Sequence, residues 1–234
     1  MKTWIGTSGF QYSGWKGTFY PEDLPTAQML PYYAERLSTT EINYTFHRIP
    51  APKTIENWST LTPTTFRFSL KAPQRITHFA KLRDCDDTVD YFYEVASGLG
   101  ERLGPVLFQL PPQLKKDAEL LGRFTECLPA SMRAAFEFRD SSWFGEEVFE
   151  ILRKRNCSLC IADTEKLATP DVATADWGYL RLRREDYQPA DVERWAGAIE
   201  EKATAWSEVF VYFKHEESGI GPKLAAQMLT IFKS

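Results

Sequence analysis

Seven ionisable residues stand at or near the ends of short β-branched or aromatic runs: Glu41, Lys71, Glu137, Arg139, Arg181, Arg183 and Lys214. Asp163 closes another such run and adds a third acid. Carboxylates of this kind can move protons, and arginine's planar fork suits phosphate or carboxylate. Five cations against two or three acids point to an anionic ligand. Glu137 and Glu41 are the candidate acid–base residues, and Lys71 would polarise the substrate. Lys71 would serve as an imine-forming amine if its neighbours depress its pKa. Arg139, Arg181 and Lys214 would hold the anion, with Asn43, Gln109 and His78 on neighbouring runs.

A periodic alternation positions these residues. Strand-like runs fall at Thr3–Thr7, Thr40–Phe46, Thr65–Lys71, Pro105–Leu110, Arg133–Arg139, Ser158–Asp163, Gly178–Arg183 and Glu208–Lys214. Helical spacing appears at Ala27–Leu37, Thr54–Leu61, Asp87–Leu103, Ala118–Leu128, Glu146–Arg155, Asp191–Trp206 and Pro222–Phe232. Start signals at Asp86-Asp87, Asp117 and Pro189-Ala190-Asp191 support several of these. Between Asp163 and Trp177 there is Pro170 and no helical pattern, so the sixth crossover should be irregular. Strands alternating with helices require parallel pairing and right-handed crossovers. The expected fold is a single α/β domain over residues 1–234, a TIM-type (β/α)8 barrel. An open doubly wound sheet would carry a glycine-rich phosphate turn after its first strand. Gly6-Thr7-Ser8-Gly9 is not followed by a helix start, and no G-x-G-x-x-G occurs.

Alternate strand residues face opposite sides. One parity gives Ile42, Phe66, Phe68, Leu70, Val106, Phe108, Phe136, Phe138, Leu180, Leu182, Val209, Val211 and Phe213, which should pack outward against helices. The other gives Glu41, Asn43, Thr45, Arg67, Ser69, Lys71, Gln109, Glu137, Arg139, Tyr179, Arg181, Arg183, Tyr212 and Lys214, which should face the axis. Polar residues gather toward the carboxyl ends of the strands, where barrel enzymes build their sites. The competing reading is an internal salt-bridge lattice in which arginines neutralise Glu41 and Glu137. After the last strand, Ser218-Gly219-Ile220-Gly221-Pro222 leads into a helix, and Gly219 and Gly221 could bring backbone N–H groups to an anion. An ordinary loop with proline in the first helical turn explains the same residues.

A formal charge of -4 and a pI near 5.6 argue against coating nucleic acid by bulk electrostatics. The aromatic stretch Tyr12, Trp15, Phe19 and Tyr20 could stack bases beside a cationic mouth. It fits a hydrophobic lid or plug better in an acidic protein. The amino end lacks a signal peptide's apolar core, and no apolar run approaches the ~20 residues of a membrane helix. A cytoplasmic protein without a membrane partner is therefore expected. Cys157 and Cys160 match C-x-x-C, but no second pair completes a zinc site, and buried thiols on a strand are the better reading. With only His47, His78 and His215, a multi-zinc site is not expected. His78 fits a hydrogen-bonding or proton-transfer role. No cofactor signature is present, and oligomeric state is not encoded in any pattern.

Gly6-Thr7-Ser8-Gly9 with Tyr12, Trp15, Gly17 and Phe19-Tyr20-Pro21 resembles the opening of the YecE-like proteins, domain-of-unknown-function family 72. Six further blocks follow in order. They are Glu41-x-Asn43-x-Thr45-Phe46 with Arg48 and Pro50, Phe68-x-x-Lys71 with Ile76-Thr77-His78, and Phe108-Gln109-Leu110-Pro111-Pro112. Glu137-x-Arg139 with Trp143, Asp163, and Tyr179-Leu180-Arg181-Leu182 complete the set. The resemblance implies a barrel and assigns no reaction. Where many relatives carry R-L-H-G, this chain has Arg181-Leu182-Arg183-Arg184; where many carry F-N-N, it has Phe213-Lys214-His215-Glu216. Both departures add charge near the expected mouth.

Three functions remain open: an enzyme, hydrolase- or lyase-like, acting on a phosphate- or carboxylate-bearing substrate; a nucleic-acid-binding or repair barrel; and a non-catalytic anion-binding module. The two carboxylates would serve glycoside hydrolysis only at a suitable separation.

Overall fold

Eight short runs of branched and aromatic residues pair in parallel, each with the next, and the last returns to the first to close a barrel. The computed structural model describes residues 1–214 and 219–233. The strands are β1 (Lys2–Ser8), β2 (Thr39–Ile42), β3 (Arg67–Lys71), β4 (Leu103–Gln109), β5 (Ala134–Glu137), β6 (Ser158–Asp163), β7 (Trp177–Leu182) and β8 (Glu208–Phe213). The helices are α1 (Met29–Ala34), α2 (Tyr44–His47), α3 (Pro52–Thr60), α4 (Asp86–Ser97), α5 (Ala118–Cys127), α6 (Glu146–Lys154), α7 (Pro189–Glu201) and α8 (Ile220–Ile231). The expected TIM-type fold is the observed one. No described helix is long and apolar enough to cross a membrane.

Strand parity sorts the core into two layers. Phe68, Leu70, Val106, Phe108, Phe136, Leu180, Leu182, Val209, Val211 and Phe213 face outward and pack with helix residues such as Leu121, Phe124, Leu152 and Met228. Trp4, Leu107, Ala135, Cys160, Trp177, Tyr179, Phe210 and Tyr212 fill the barrel interior. Each large apolar side chain withdrawn from water contributes about 1.5–3 kcal/mol. Cys157 belongs to the outer layer and Cys160 to the inner one, and burial pushes both thiols up. Their side chains therefore face opposite sides of β6, which suits buried structural thiols.

Local sequence sets several helix starts. The Asp117 carboxylate accepts from Leu120 N at 2.9 Å, capping α5. At α7, Asp191 accepts from Gln188 N at 3.0 Å, and Pro189 takes the first turn. Gly6 is required where β1 meets β2: a Cβ there would lie 1.9 Å from the Thr39 carbonyl oxygen.

Two stretches depart from simple alternation. The run expected as a strand to Phe46 stops at Ile42, and Tyr44–His47 form one helical turn. Gly9 N bonds the Glu41 carbonyl, and Thr45 Oγ1, with one proton to give, lies 2.7 Å from Lys71 O and 3.0 Å from Ile42 O. That hydroxyl holds a turn whose sequence has a strand's period. The second departure is the β6–β7 crossover: residues 164–176 contain no helix. They cover β6 through side chains instead, with Thr174 Oγ1 accepting from Leu159 N at 2.7 Å and donating to Cys157 O at 2.8 Å. Thr174 is 3 % exposed. Thr174→Ala strands both backbone groups and is expected to lower stability by about 1–3 kcal/mol, read from the urea midpoint. A change within experimental error would mean that the segment is not held through this hydroxyl.

Candidate functional site

The inward residues at the carboxyl ends of β1, β2, β5 and β7 form one buried ionic lattice. Arg181 is at its centre, only 1 % exposed. Its Nη2 donates to Glu41 Oε1 at 2.8 Å and its Nη1 to Glu137 Oε2 at 2.5 Å. Glu41 also accepts from Ser8 Oγ at 2.8 Å and from the Tyr179 hydroxyl at 2.7 Å. Glu137 accepts from Arg139 Nε at 2.5 Å, and Arg183 Nη1 stands 3.6 Å from the same oxygen. Below this layer, the Tyr212 hydroxyl joins Thr39 Oγ1 at 2.8 Å and Ser69 Oγ at 2.6 Å.

This arrangement reassigns several expected roles. Glu41 and Glu137 are fully buried, and every carboxylate oxygen is occupied. Burial alone would raise the Glu137 pKa, but Arg181, Arg139 and Arg183 overcome it and hold the group at about 2. Glu41 is likewise lowered against its burial by Arg181 and by its hydrogen bonds from Tyr179 and Ser8. Carboxylates held so firmly ionised are poor proton donors near neutral pH. They are anchors for the cations. Arg181, expected to hold a ligand, has both terminal nitrogens engaged by these anchors.

Asp163 corrects a second expectation. Cys160 faces the interior, so Asp163, three positions on, faces out. It accepts from the Tyr187 hydroxyl at 2.6 Å and Trp195 Nε1 at 2.9 Å, and Arg184 Nε lies 4.0 Å away. It ties the outer wall together and is not an acid of the mouth.

The aromatic loop after β1 is a plug. Trp15 and Tyr20 are buried, and Trp15 packs on Tyr12 and Phe19 with ring centroids 4.8 and 5.9 Å apart. Tyr12 is half-buried and donates to Ser8 O at 2.8 Å. Trp15 therefore offers no open face for a base. Gly219 has φ +66, and a Cβ there would lie 2.2 Å from Thr18 Oγ1, so this glycine lets the final connection close onto the plug. Gly221 is buried in the first turn of α8. His215, Glu216 and Ser218 lie outside the described residues.

Lys71, Arg139 and Arg183 occupy the upper, partly exposed level. Lys71 ends β3, with Nζ 4.1 Å over the Phe46 ring. His78, in a π-helical turn at Arg75–Phe79, packs edge-on to the same ring at 4.9 Å and bonds Thr77 Oγ1 through Nδ1 at 2.9 Å. Gln109 ends β4 in register with Glu137. Asn43 follows β2, and the Lys214 N–H pairs with Leu182 O at 2.9 Å beside the end of β7. Four cations (Lys71, Arg139, Arg181, Arg183) thus face two carboxylates. Burial and the repulsion of Arg181 push Lys71 down to about 8 and lower Arg183 as well. Buried donors at Arg181 Nε, Arg183 Nη1 and Asn43 Nδ2 find no hydrogen-bond partner among the described residues.

A cleft of about 400 Å³ opens on one side of this level, lined by Arg139, Arg183, Lys166, Thr164, Leu167 and Pro112, with Glu165 and Glu185 also on its wall. A larger cleft of about 690 Å³ lies between α3 and α4 on the outer wall, away from the charged strand ends. No group of three or more metal-ligating side chains occurs among the described residues.

Sequence reasoning found the cations but gave no distinct role to Ser8. It stands on β1 in register with Glu41, and the inward parity of β1 was the signal that could have found it.

Comparisons with known proteins agree with this architecture. The family described as "Protein of unknown function DUF72" matches residues 4–234. The UPF0759 protein YecE of Escherichia coli (strain K12) is 35% identical over 118 residues, a stretch covering 49% of this chain and 43% of YecE. The UPF0759 protein YunF of Bacillus subtilis (strain 168) is 23% identical over 97% of this chain and 94% of its own. The crystal structure of a DUF72 family protein from Thermotoga maritima superposes with a TM-score of 0.89 at 25% identity, covering 100% of both chains.

Proposed function

The chain belongs to the DUF72 family, and from that premise and the geometry of its mouth we propose that it is an enzyme acting on a small phosphate- or carboxylate-bearing molecule. Arg139 and Arg183 are the anion-holding pair. The observation that carries this reading is the surplus of positive charge at the mouth. Two buried carboxylates are already committed to Arg181, while Arg183 Nη1, in a long 3.6 Å ion pair with Glu137, makes no hydrogen bond to a described residue. An oxyanion in the adjoining cleft would satisfy that donor and relieve the repulsion among Lys71, Arg139 and Arg183. Glu41 and Glu137 fix the arginine frame, as buried counter-charges do in preorganised sites. With Trp15 and Tyr20 inside the plug, two of the four aromatics that a nucleic-acid reading would stack on are closed to a base.

Inorganic phosphate and malonate are the direct probes. Either should raise the melting temperature in a concentration-dependent way. Arg183→Gln and Arg139→Gln should each weaken binding roughly 10- to 100-fold, the range for a hydrogen bond to a charged group. Arg123→Gln, which removes an exposed pair with Glu119, serves as control and should leave affinity unchanged. Absence of any shift with the unaltered protein, or an equal loss in the Arg123 variant, would overturn the assignment.

A further inference from the structure

Lys71 is set apart from the other cations of the mouth. Arg181, Arg139 and Arg183 all engage Glu137, whereas Lys71 forms no ion pair with a described residue. Its backbone is fixed from two sides: Thr45 Oγ1 donates to its carbonyl at 2.7 Å, and the next amide, Ala72 N, bonds Leu107 O at 2.9 Å. Its amine is aimed over an aromatic face, and His78 shares that ring from the edge. Structural lysines end in a carboxylate or in water. This one ends half-buried on a ring, beside a cationic frame that disfavours its protonated form.

We propose that Lys71 is a covalent-capture residue, its amine forming an imine with the carbonyl group of a substrate whose phosphate or carboxylate is held by Arg139 and Arg183. This rests on the anion-binding reading above and adds the substrate class: a carbonyl compound carrying an anionic group. In the step, the Nζ lone pair attacks the carbonyl carbon while the C=O π electrons move to oxygen, which takes one proton given up by the nitrogen. A C–N bond forms, the C–O bond then breaks, and the oxygen leaves as water, taking the second proton that the nitrogen gives up as C=N is completed. No oxidant or reductant is consumed. Burial, with Arg181 and Arg139, outweighs the opposing pull of Glu41 and Glu137: with its pKa near 8, Lys71 carries on the order of 100-fold more neutral amine at pH 7 than an ordinary lysine. His78 is held toward its neutral form by burial and by Lys71 and Arg139, so it can take up and return the proton that moves from nitrogen to oxygen.

The test is reductive trapping. Dihydroxyacetone phosphate and pyruvate are incubated with the whole protein and cyanoborohydride, and the modified lysines are located by peptide mass mapping. The expected result is a stable adduct on Lys71, exceeding that on the exposed Lys53 and Lys233 by about tenfold or more. Inorganic phosphate should suppress it, and Lys71→Arg should abolish it. The rate should rise through about pH 8 and not only near 10. Labelling of Lys71 no greater than at Lys53 and Lys233 would overturn the proposal, and mapping on the unaltered chain gives that answer even if a Lys71 variant fails to fold. Neutral dihydroxyacetone separates the two readings. If Arg183→Gln slows trapping of the phosphate ester but not of the neutral ketone, both stand. If it slows neither, Lys71 captures carbonyls without the arginine pair, and the anion assignment fails alone. If phosphate binds but no adduct forms, the imine fails alone.

Discussion

Arg181→Met is expected to destabilise the protein by about 3–5 kcal/mol, measured as a fall in the urea midpoint at unchanged slope. The substitution leaves a side chain that can occupy much of the space but no charge. Glu41 would keep only the Ser8 and Tyr179 hydroxyls, and Glu137 only the arginines above it. Two carboxylates would then lie at zero exposure without the cation between them. An unpaired buried charge costs far more than a complete pair contributes, because desolvation has already been incurred. Replacing all three residues together, as Glu41→Leu, Glu137→Leu and Arg181→Met, should therefore recover much of the loss. If the single change costs under about 1 kcal/mol, the lattice is not what holds the upper barrel together.

The same lattice should make the fold acid-labile. Glu137 has an ordinary value of 4.5 when exposed and is held at about 2 in the fold, chiefly by Arg181 against the opposing effect of burial. A carboxyl group lowered by folding contributes stability that is complete above its unfolded value and is lost as pH falls toward its folded one. A shift of that size is worth about 3 kcal/mol between pH 7 and about pH 2. Glu41 shifts in the same direction and acts in the same window. Urea midpoints measured from pH 7 down to about 3 should fall most steeply below about 4.5. In a Glu137→Gln variant the amide cannot titrate, so the slope below that point should flatten even though the variant starts from lower stability. An unchanged slope would assign the acid sensitivity to surface carboxylates such as Asp117, which is also lowered.

How far the sequence could be read depended on each strand's contrast. At β3, β5, β7 and β8, large apolar residues alternate with charged or hydroxyl-bearing ones, and parity placed Lys71, Glu137, Arg181 and Tyr212 on the inner face where they lie. On β6 the inward residues are Ser158, Cys160 and Ala162, too small and mixed to fix a face, so the sequence alone does not show that Asp163, at the end of the run, faces out. After Ile42, the sequence Asn43-Tyr44-Thr45-Phe46 keeps a strand's alternation. A single helical turn is too short to show a helical period, and the two carbonyls that hold Thr45 come from Ile42 and from a different strand. Pairing was the least legible property. Arg181 and Glu41 are separated by 140 positions, and nothing local tells a guanidinium that faces a ligand from one that faces a buried carboxylate. The lower level is a salt-bridge lattice, the arrangement in which arginines neutralise Glu41 and Glu137, and the anion site at the upper level remains a proposal.

The helix-free crossover after β6 joins two tasks in one piece of chain. Thr164 and Leu167 line the cleft, while Thr169 and Thr174 in the same segment satisfy backbone groups of β6. Elsewhere around the barrel a helix separates these tasks, its outer bulk shielding the strand while the loop before it meets the mouth. Here one segment is both the wall of the cleft and the cover of the strand. A molecule held against residues 164–167 should therefore also damp local opening of β6, read as slower amide exchange along the strand. The cleft would thus sense its own contents as order in the barrel wall.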